Sequence, residues 1–479
     1  MSKIFIEEAK KYEREGDLSK AISLLKKVLQ LEPENYIIHL ELGNLCTSNN
    51  QFEEAAGYFR RCLYQFKDNL DIKNALCFSL SSLGNEYYLD SKFQLSEACF
   101  EETILYEKYN WVYYYNLANT QDKLNKISKA YENYQKAIRL NSNDADLWNN
   151  NGNSERKLGY LDKAVISYQN ALKIKPDLFH ALAHLTHQKQ HMCNWDHIDQ
   201  YFQKICSIVN ENPEALISPF GFIANPLSSP QDQLLCANHW VQNHFKKLPI
   251  SKDEREKKDK IRIGYLSSDF KLHPLYFLIR DVIKYHSRDK YEIYGYDASP
   301  KESTQERKLI ISLFDYHRDI LNVDDEKAAA LIEQDKIDIL IDLTGFTNNS
   351  RAFIAPLLKK TITINWLGYP GTMGLIQEKP LYDYILADAF IIPKSDEKYY
   401  AESILRLPFA YQPNIENRGQ LNHKSRQDYG IPSDAFVYCA FNQSFKITEA
   451  IFKAWLTLLK KFPKSVLWLT DSNEWARNH

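Results

Sequence analysis

The sequence predicts an α superhelix of repeated helical hairpins, then a doubly wound α/β region, then the first part of a second α/β lobe. Three observations carry this. Between residues 18 and 178 one pattern recurs at an offset of 34 residues. At Ile261 the texture changes to short β-branched runs alternating with helical ones, the mark of a parallel sheet. A second alternation starts only near residue 435, leaving room for two strands before His479. Composition agrees: 25% charged and 44% hydrophobic residues exclude a disordered chain, and 15 Gly against 31 Tyr and 24 Phe favour packed helices. Sixty basic against 62 acidic residues leave no positive excess to neutralise a phosphate backbone, so nucleic acid is not an expected partner.

The repeat is read from four aligned segments: LSKAISLLKKVLQLEPEN (18–35), FEEAAGYFRRCLYQFKDN (52–69), ISKAYENYQKAIRLNSND (127–144) and LDKAVISYQNALKIKPDL (161–178). Small residues recur at Ala21, Ala55, Ala130 and Ala164, and bulkier ones at Leu25, Phe59, Tyr134 and Tyr168. Gly16, Asn50, Asn125 and Gly159 close the first helix of each unit. A small residue lets two antiparallel helices approach, the bulky one fills the gap, and stacked neighbours complete a core that one hairpin cannot bury. The pattern resembles the tetratricopeptide repeat. It gives five repeats, 2–35, 36–69, 70–110, 111–144 and 145–178, with a partial sixth, and a superhelical domain over 1–190. The 41-residue unit 70–110 carries a seven-residue insertion, expected near NEYYLDSKF.

Asparagines recur on the first helices at Asn44, Asn116, Asn119, Asn150 and Asn153. Pairs three residues apart share a helix face, and amides both donate and accept. They are candidates for binding the backbone of an extended peptide acceptor, or else decorate a solvated face. A helical linker region follows over 191–258. Around the start of that region, His180/His184 and His187/His191 have i,i+4 spacing, but no carboxylate completes a metal site, so no metal is expected. The run KKDK (257–260) reads as a solvated boundary.

In the α/β region, IRIGYL, YEIYGYDA, IDILIDLTG and TITINWLG read as strands, while PLYFLIRDVIKYH, DDEKAAALIEQDK and RAFIAPLLKK read as helices. The first strand is followed by no GxGxxG, so no dinucleotide cofactor is expected. Ligands of such sheets gather beyond the carboxyl ends of the strands. In the first of those loops, Pro274 fits a first helical turn and places His273 at a helix start, as a proton acceptor or as a cap. Asp342, after IDILI, either binds a hydroxyl-rich ligand or orders its turn. The loop containing Gly371 and Thr372 lets backbone N–H groups approach a ligand, or is a plain turn. Between AFVYCAFN and TEAIFKAWLTLLKKF stand Gln443 and Lys446; a lysine ahead of a helix N-terminus anchors a diphosphate, or is a surface lysine.

In this order, after the repeats, GYLSSDFKLHP, DILIDLTGFT, NWLGYPGT and VYCAFNQSFKI resemble the O-GlcNAc transferase family, including its SPINDLY branch. The resemblance implies a metal-independent, inverting glycosyltransferase of GT-B type, with two Rossmann-like lobes, that moves a sugar from a nucleotide diphosphate to Ser or Thr of proteins. It places His273 in a catalytic or positioning role, and Gln443 and Lys446 at the donor diphosphate, with Lys446 stabilising the leaving group. Gly371 and Thr372 fall in the same donor site. The expected lobes are 259–420, N-terminal and catalytic, and 421–479, nucleotide-binding. The family's second lobe continues beyond the VLWL strand, whereas here SVLWLTDSNEWARNH closes the sequence, so a C-terminally truncated lobe is expected. The expected function is transfer of GlcNAc from UDP-GlcNAc, with no cofactor, a protein or peptide acceptor in the repeat groove, and room for a homo-oligomer. The alternative is a non-catalytic peptide-binding scaffold carrying a remnant transferase half. The charged N-terminus, the absence of a run of about 20 apolar residues and eight scattered cysteines lead us to expect no membrane contact and a cytoplasmic location.

Overall fold

The computed structural model describes residues 1–245, 259–414, 416 and 424–479. The chain forms two compact units, Met1–Ala181 and Leu182–His479. Part of the expected linker (246–258), including the first half of the KKDK run, lies outside the described residues, as does the start of the expected second lobe (421–423).

The first unit consists of five helical hairpins: α1 (Ser2–Arg14) with α2 (Leu18–Leu31), α3 (Tyr36–Ser48) with α4 (Phe52–Gln65), α5 (Leu70–Leu89) with α6 (Phe93–Tyr106), α7 (Trp111–Lys123) with α8 (Ile127–Leu140), and α9 (Ala145–Lys157) with α10 (Leu161–Ile174). Each helix packs on its hairpin partner, and successive hairpins stack through α2 on α3, α4 on α5, α6 on α7 and α8 on α9. The periodic residues are the core: Ala21, Ala55, Ala130 and Ala164 are fully buried, as are Leu25, Phe59, Tyr134 and Tyr168 to within 2%. Gly16, Asn50, Asn125 and Gly159 all take positive φ at the hairpin turns, and Ser91 does the same in the third hairpin. Asp17, Asn35, Asn69, Asn110 and Asp144 cap the following helices through their side chains.

The insertion lies elsewhere than expected. Gly43, Gly84 and Gly152 face the rings of Phe59, Phe100 and Tyr168, each ring sixteen positions on. The hairpin register is therefore intact through NEYYLDSKF, and the seven extra residues lie between Leu70 and Gly84, inside the 20-residue helix α5. Seven residues make nearly two full helical turns, so they lengthen α5 without rotating its packing face.

In the second unit, α11 (Phe179–His191), which starts in the first, is followed by α12 (Ile198–Glu211), α13 (Pro219–Phe222) and α14 (Pro230–His244). Then come β1 (Ile261–Ser267), α15 (Pro274–Lys284), β2 (Tyr291–Asp297), α16 (Gln305–Ser312), β3 (Tyr316–Asp319), α17 (Asp325–Gln334), β4 (Ile339–Asp342) and β5 (Ile362–Asn365). A small antiparallel pair, β6 (Leu375–Ile376) and β7 (Lys379–Pro380), precedes β8 (Tyr384–Ala387) and β9 (Ser403–Arg406). The main sheet has the order β3-β2-β1-β4-β5-β8-β9 and is parallel throughout, the doubly wound arrangement with its reversal beside β1. Apolar clusters cover both faces, one around Tyr265, Phe270 and Ile279, the other around Tyr296, Ile332 and Leu340. The segment RAFIAPLLKK is not an α-helix. Pro356 supplies no N–H, and only a 3-10 segment, Ala352–Leu357, forms. Beyond it, β10 (Phe436–Ala440), α18 (Glu449–Lys461) and β11 (Ser465–Leu469) make a two-stranded parallel sheet with one crossover helix, and α19 (Glu474–Asn478) closes the described chain. Among the described residues no helix is long and apolar enough to cross a membrane.

Candidate active site

Three loops at the carboxyl ends of β1, β4 and β5 are knitted together by buried polar groups. After β1, Phe270 is fully buried; its N–H donates to Ser299 Oγ (2.8 Å) and its carbonyl accepts from Arg307 Nη1 (2.9 Å). Arg307 in turn pairs with Asp297 at 2.6 Å, and His317 Nε2 lies 3.1 Å from the same carboxylate oxygen. Burial alone would raise the Asp297 pKa, but hydrogen bonds from His317 and Ser299 and the Arg307 charge hold it below the usual range. Held at Phe270, the loop runs on to His273, whose ring caps α15. Its Nδ1 accepts the Leu275 N–H at 3.3 Å, and Pro274 takes the first helical position. A ring nitrogen that accepts an N–H carries no proton, so the neutral ring carries its proton on Nε2 and presents a donor there. Asp269 lies 4.0 Å from Nδ1, and the half-exposed ring borders an open cavity of about 450 Å³ with Leu272, Phe277, Leu278 and Gln412.

After β4, Asp342 is fully buried and orders its own turn. It accepts from the Thr344 and Gly345 N–H groups (2.8 and 3.2 Å) and from the Tyr382 hydroxyl (2.7 Å), while burial pushes its pKa up. The Thr344 hydroxyl accepts the Ser268 N–H at 3.2 Å, tying this loop to the first. The Gly368–Gly374 loop after β5 packs on it so closely that a methyl at Gly368 would lie 2.2 Å from the Leu343 carbonyl oxygen. Gly371 and Thr372 both sit inside this packing. Thr372 is 2% exposed and turns inward, its hydroxyl donating to Glu402 (2.9 Å).

Gln443 precedes, and Lys446 ends, the 3-10 turn Ser444–Lys446 between β10 and α18. Both are exposed, and the Lys446 ammonium stands 5.7 Å over the Phe445 ring. The turn is seated on the end of α11. Ser444 Oγ and Asn473 Nδ2 both donate to the His191 carbonyl (2.7 and 2.9 Å), Trp195 Nε1 donates to the Ile447 carbonyl (3.2 Å), and Phe445 packs against the rings of His187 and His191. Those histidines, read above only for their spacing, thus help seat the Lys446 turn. Among the described residues no group of three or more His, Cys, Asp or Glu is arranged to hold a metal ion, and no hydrogen bond or ion pair joins His273 or Thr372 to Gln443 or Lys446.

In the first unit, Asn119, Asn150 and Asn153 converge with Tyr88, Asp122, Lys123 and Tyr134 around a cavity of about 170 Å³. Asn150 Nδ2 donates to Asn119 Oδ1 and to the Tyr115 hydroxyl (both 3.1 Å), so amides link successive repeats as well as lining the groove. Asn116 Nδ2 donates to Asn85 (3.3 Å), and Asn153 accepts from the Tyr168 hydroxyl (2.9 Å). Asn44 is exposed on the second hairpin, apart from this cluster. Sequence reasoning missed Glu402, Ser444 and the Asp297–Arg307 pair. Their roles come from tertiary burial, and a single carboxylate before a short strand gives no periodic signal.

Comparison with known proteins fits this geometry. The model of glycosyl transferase family 41 matches residues 192–414 and 413–474, across both sheets. The chain belongs to this family. Tetratricopeptide repeat models match residues 13–84, 111–144 and 145–178 of this family 41 chain. Over 309 residues it is 32% identical to the probable UDP-N-acetylglucosamine–peptide N-acetylglucosaminyltransferase SEC of Arabidopsis thaliana, covering 60% of this chain and 31% of that protein. Over 213 residues it is 30% identical to the corresponding SPINDLY protein of the same plant, covering 43% and 22%. The chain thus spans about a third or less of the length of these curated relatives. Its fold matches an O-GlcNAc transferase mutant from Thermobaculum terrenum with a TM-score of 0.52 at 21% identity, covering 83% of this chain and 68% of that one.

Proposed function

We propose that this chain acts as a protein O-glycosyltransferase, moving GlcNAc from UDP-GlcNAc to Ser or Thr hydroxyls with inversion and without a metal ion. The observation that carries the reading is the family match across both sheets, together with Lys446 exposed three residues before α18. A lysine just ahead of a helix start, whose first backbone N–H groups are unpaired, is the combination that suits a diphosphate. In the reaction the acceptor oxygen attacks the anomeric carbon on the face opposite the diphosphate. The bond from that carbon to the phosphate oxygen breaks, and its electron pair stays on the phosphate. Lys446 stabilises the charge that grows there, and Gln443 holds the same group. The acceptor proton leaves to a base. His273 presents an N–H at Nε2, which suits positioning; accepting the proton there requires the ring to give up its cap on Leu275. The asparagine-lined groove receives the peptide. A cytoplasmic location belongs to this reading, supported by eight cysteines that are all free thiols.

Calorimetry with UDP tests the proposal. Saturable binding, weakened at least about tenfold by Lys446→Ala, is the expected result for the loss of a charge-assisted contact. One observation favours the scaffold reading instead: Phe436 and Phe441, at the small second sheet, are 64% and 60% exposed. Absence of UDP binding at millimolar concentration, with the groove still binding peptide, would establish that reading in its place.

A further inference from the structure

Glu402 is a buried carboxyl of the first lobe that the proposed chemistry leaves unused. Its side chain is 4% exposed, and among the described residues no cation pairs with it. A buried carboxyl without a counter-charge is costly, and an apolar residue would fill the space at lower cost. What it touches is the Gly368–Gly374 loop. Oε1 accepts the Met373 N–H (2.5 Å) and Oε2 accepts the Thr372 hydroxyl (2.9 Å). Thr372 Oγ1 itself accepts the N–H groups of Ala401 and Gly374 (3.1 and 3.3 Å). Two residues before Glu402, the Tyr400 hydroxyl donates to the Pro370 carbonyl (3.2 Å).

We propose that Glu402 is a positioning residue: it clasps the Gly368–Gly374 loop through Thr372 and Met373 and makes the setting of that loop depend on pH. The proposal rests on reading the loop as part of the donor site. Burial without a counter-charge supplies the reason for two states. Ionised, the carboxylate accepts from both Thr372 and Met373 but places an unpaired charge beneath the loop. Protonated, it buries no charge, so the neutral carboxyl favours the clasped loop and the ionised one favours opening, which returns the group to water. Burial pushes the Glu402 pKa up to about 7, opposed by the bonds from Met373, Thr372 and Ala401, so both states are populated near neutrality. The titratable groups that face it are the phenols of Tyr369, Tyr382 and Tyr400, all raised by burial and neutral throughout this range.

The test follows loop protection and UDP affinity from pH 6 to 8 in the whole chain, comparing wild type with Glu402→Gln and Thr372→Val. Hydrogen exchange of peptides covering 368–374, corrected for the intrinsic pH dependence of exchange, is expected to quicken by up to about tenfold as pH rises from 6 to 8 in wild type, because ionisation of Glu402 favours opening. UDP affinity is expected to fall in parallel. Glu402→Gln, whose amide can only donate toward Thr372, should be flat with pH and resemble wild type at pH 6. If Glu402→Gln does not fold, Thr372→Val carries the test: it removes a bond that holds the Glu402 pKa down, so its pH course should move to higher pH. A wild-type pH course in either variant overturns the proposal, and so does a flat course in wild type. If wild type binds no UDP, the proposed function fails, while the exchange measurement still decides the clasp.

Discussion

The two sheets of the second unit hold their candidate residues in opposite ways. The main sheet closes over its loops. Asp297, Asp342 and Glu402 are almost fully buried and each braces a neighbouring segment, so Thr372 is fixed and His273 is held at the helix start. The second sheet exposes its residues. No residue of α18 is buried, and Gln443 and Lys446 face solvent on a turn whose position comes from contacts with α11 rather than from its own core. A group that must meet a charged ligand cannot be buried beforehand without losing its hydration, whereas a loop that shapes a crevice has to be fixed in advance. On the proposed function, the difference separates residues that shape the site from those that would touch the ligand.

Four experiments can break or sharpen this contrast. The largest effect is expected from Asp297→Ala, which leaves Arg307 buried without its partner. A loss of about 3–5 kcal/mol in denaturant unfolding is expected, and a loss under about 1 kcal/mol would mean that the bracing is ornamental. Next is pH. The Glu402 pKa is raised in the folded chain from 4.5 to about 7, so its contribution to stability is full below pH 4.5 and is lost as pH rises through 7. Unfolding free energy should fall by up to about 1.4 kcal/mol per pH unit across that window, and Glu402→Gln should remove this slope. Third, Ser444→Ala removes one of two donors to the His191 carbonyl. About 1 kcal/mol is expected, read as earlier proteolysis of the α18 region while the main sheet stays protected. The smallest stability effect is expected from Lys446→Ala, within about 0.5 kcal/mol for an exposed site, although the same variant should lose most of its UDP affinity. If it instead destabilised the chain strongly, Lys446 would be structural and the contrast would fail.

The sequence by itself determined the elements whose signals are local. A 34-residue recurrence of small and bulky residues specifies stacked hairpins because each repeat touches only its neighbours. Alternating β-branched and helical runs specify a parallel sheet, and Pro274 after His273 marks the cap of α15. The strands β3, β8 and β9 went unread although β4 and β5 are as short: YHRD, YILA and SILR carry at most one β-branched residue each, whereas β4 and β5 lie within longer β-branched runs. Only the tertiary structure placed the insertion inside α5, turned Thr372 inward onto Glu402 and seated Ser444 on His191, 253 residues earlier in the chain. Those outcomes depend on burial and on partners distant in sequence. The composition of a short segment is the same whether its carboxylate ends in solvent or beneath a loop, so only packing could decide which it was.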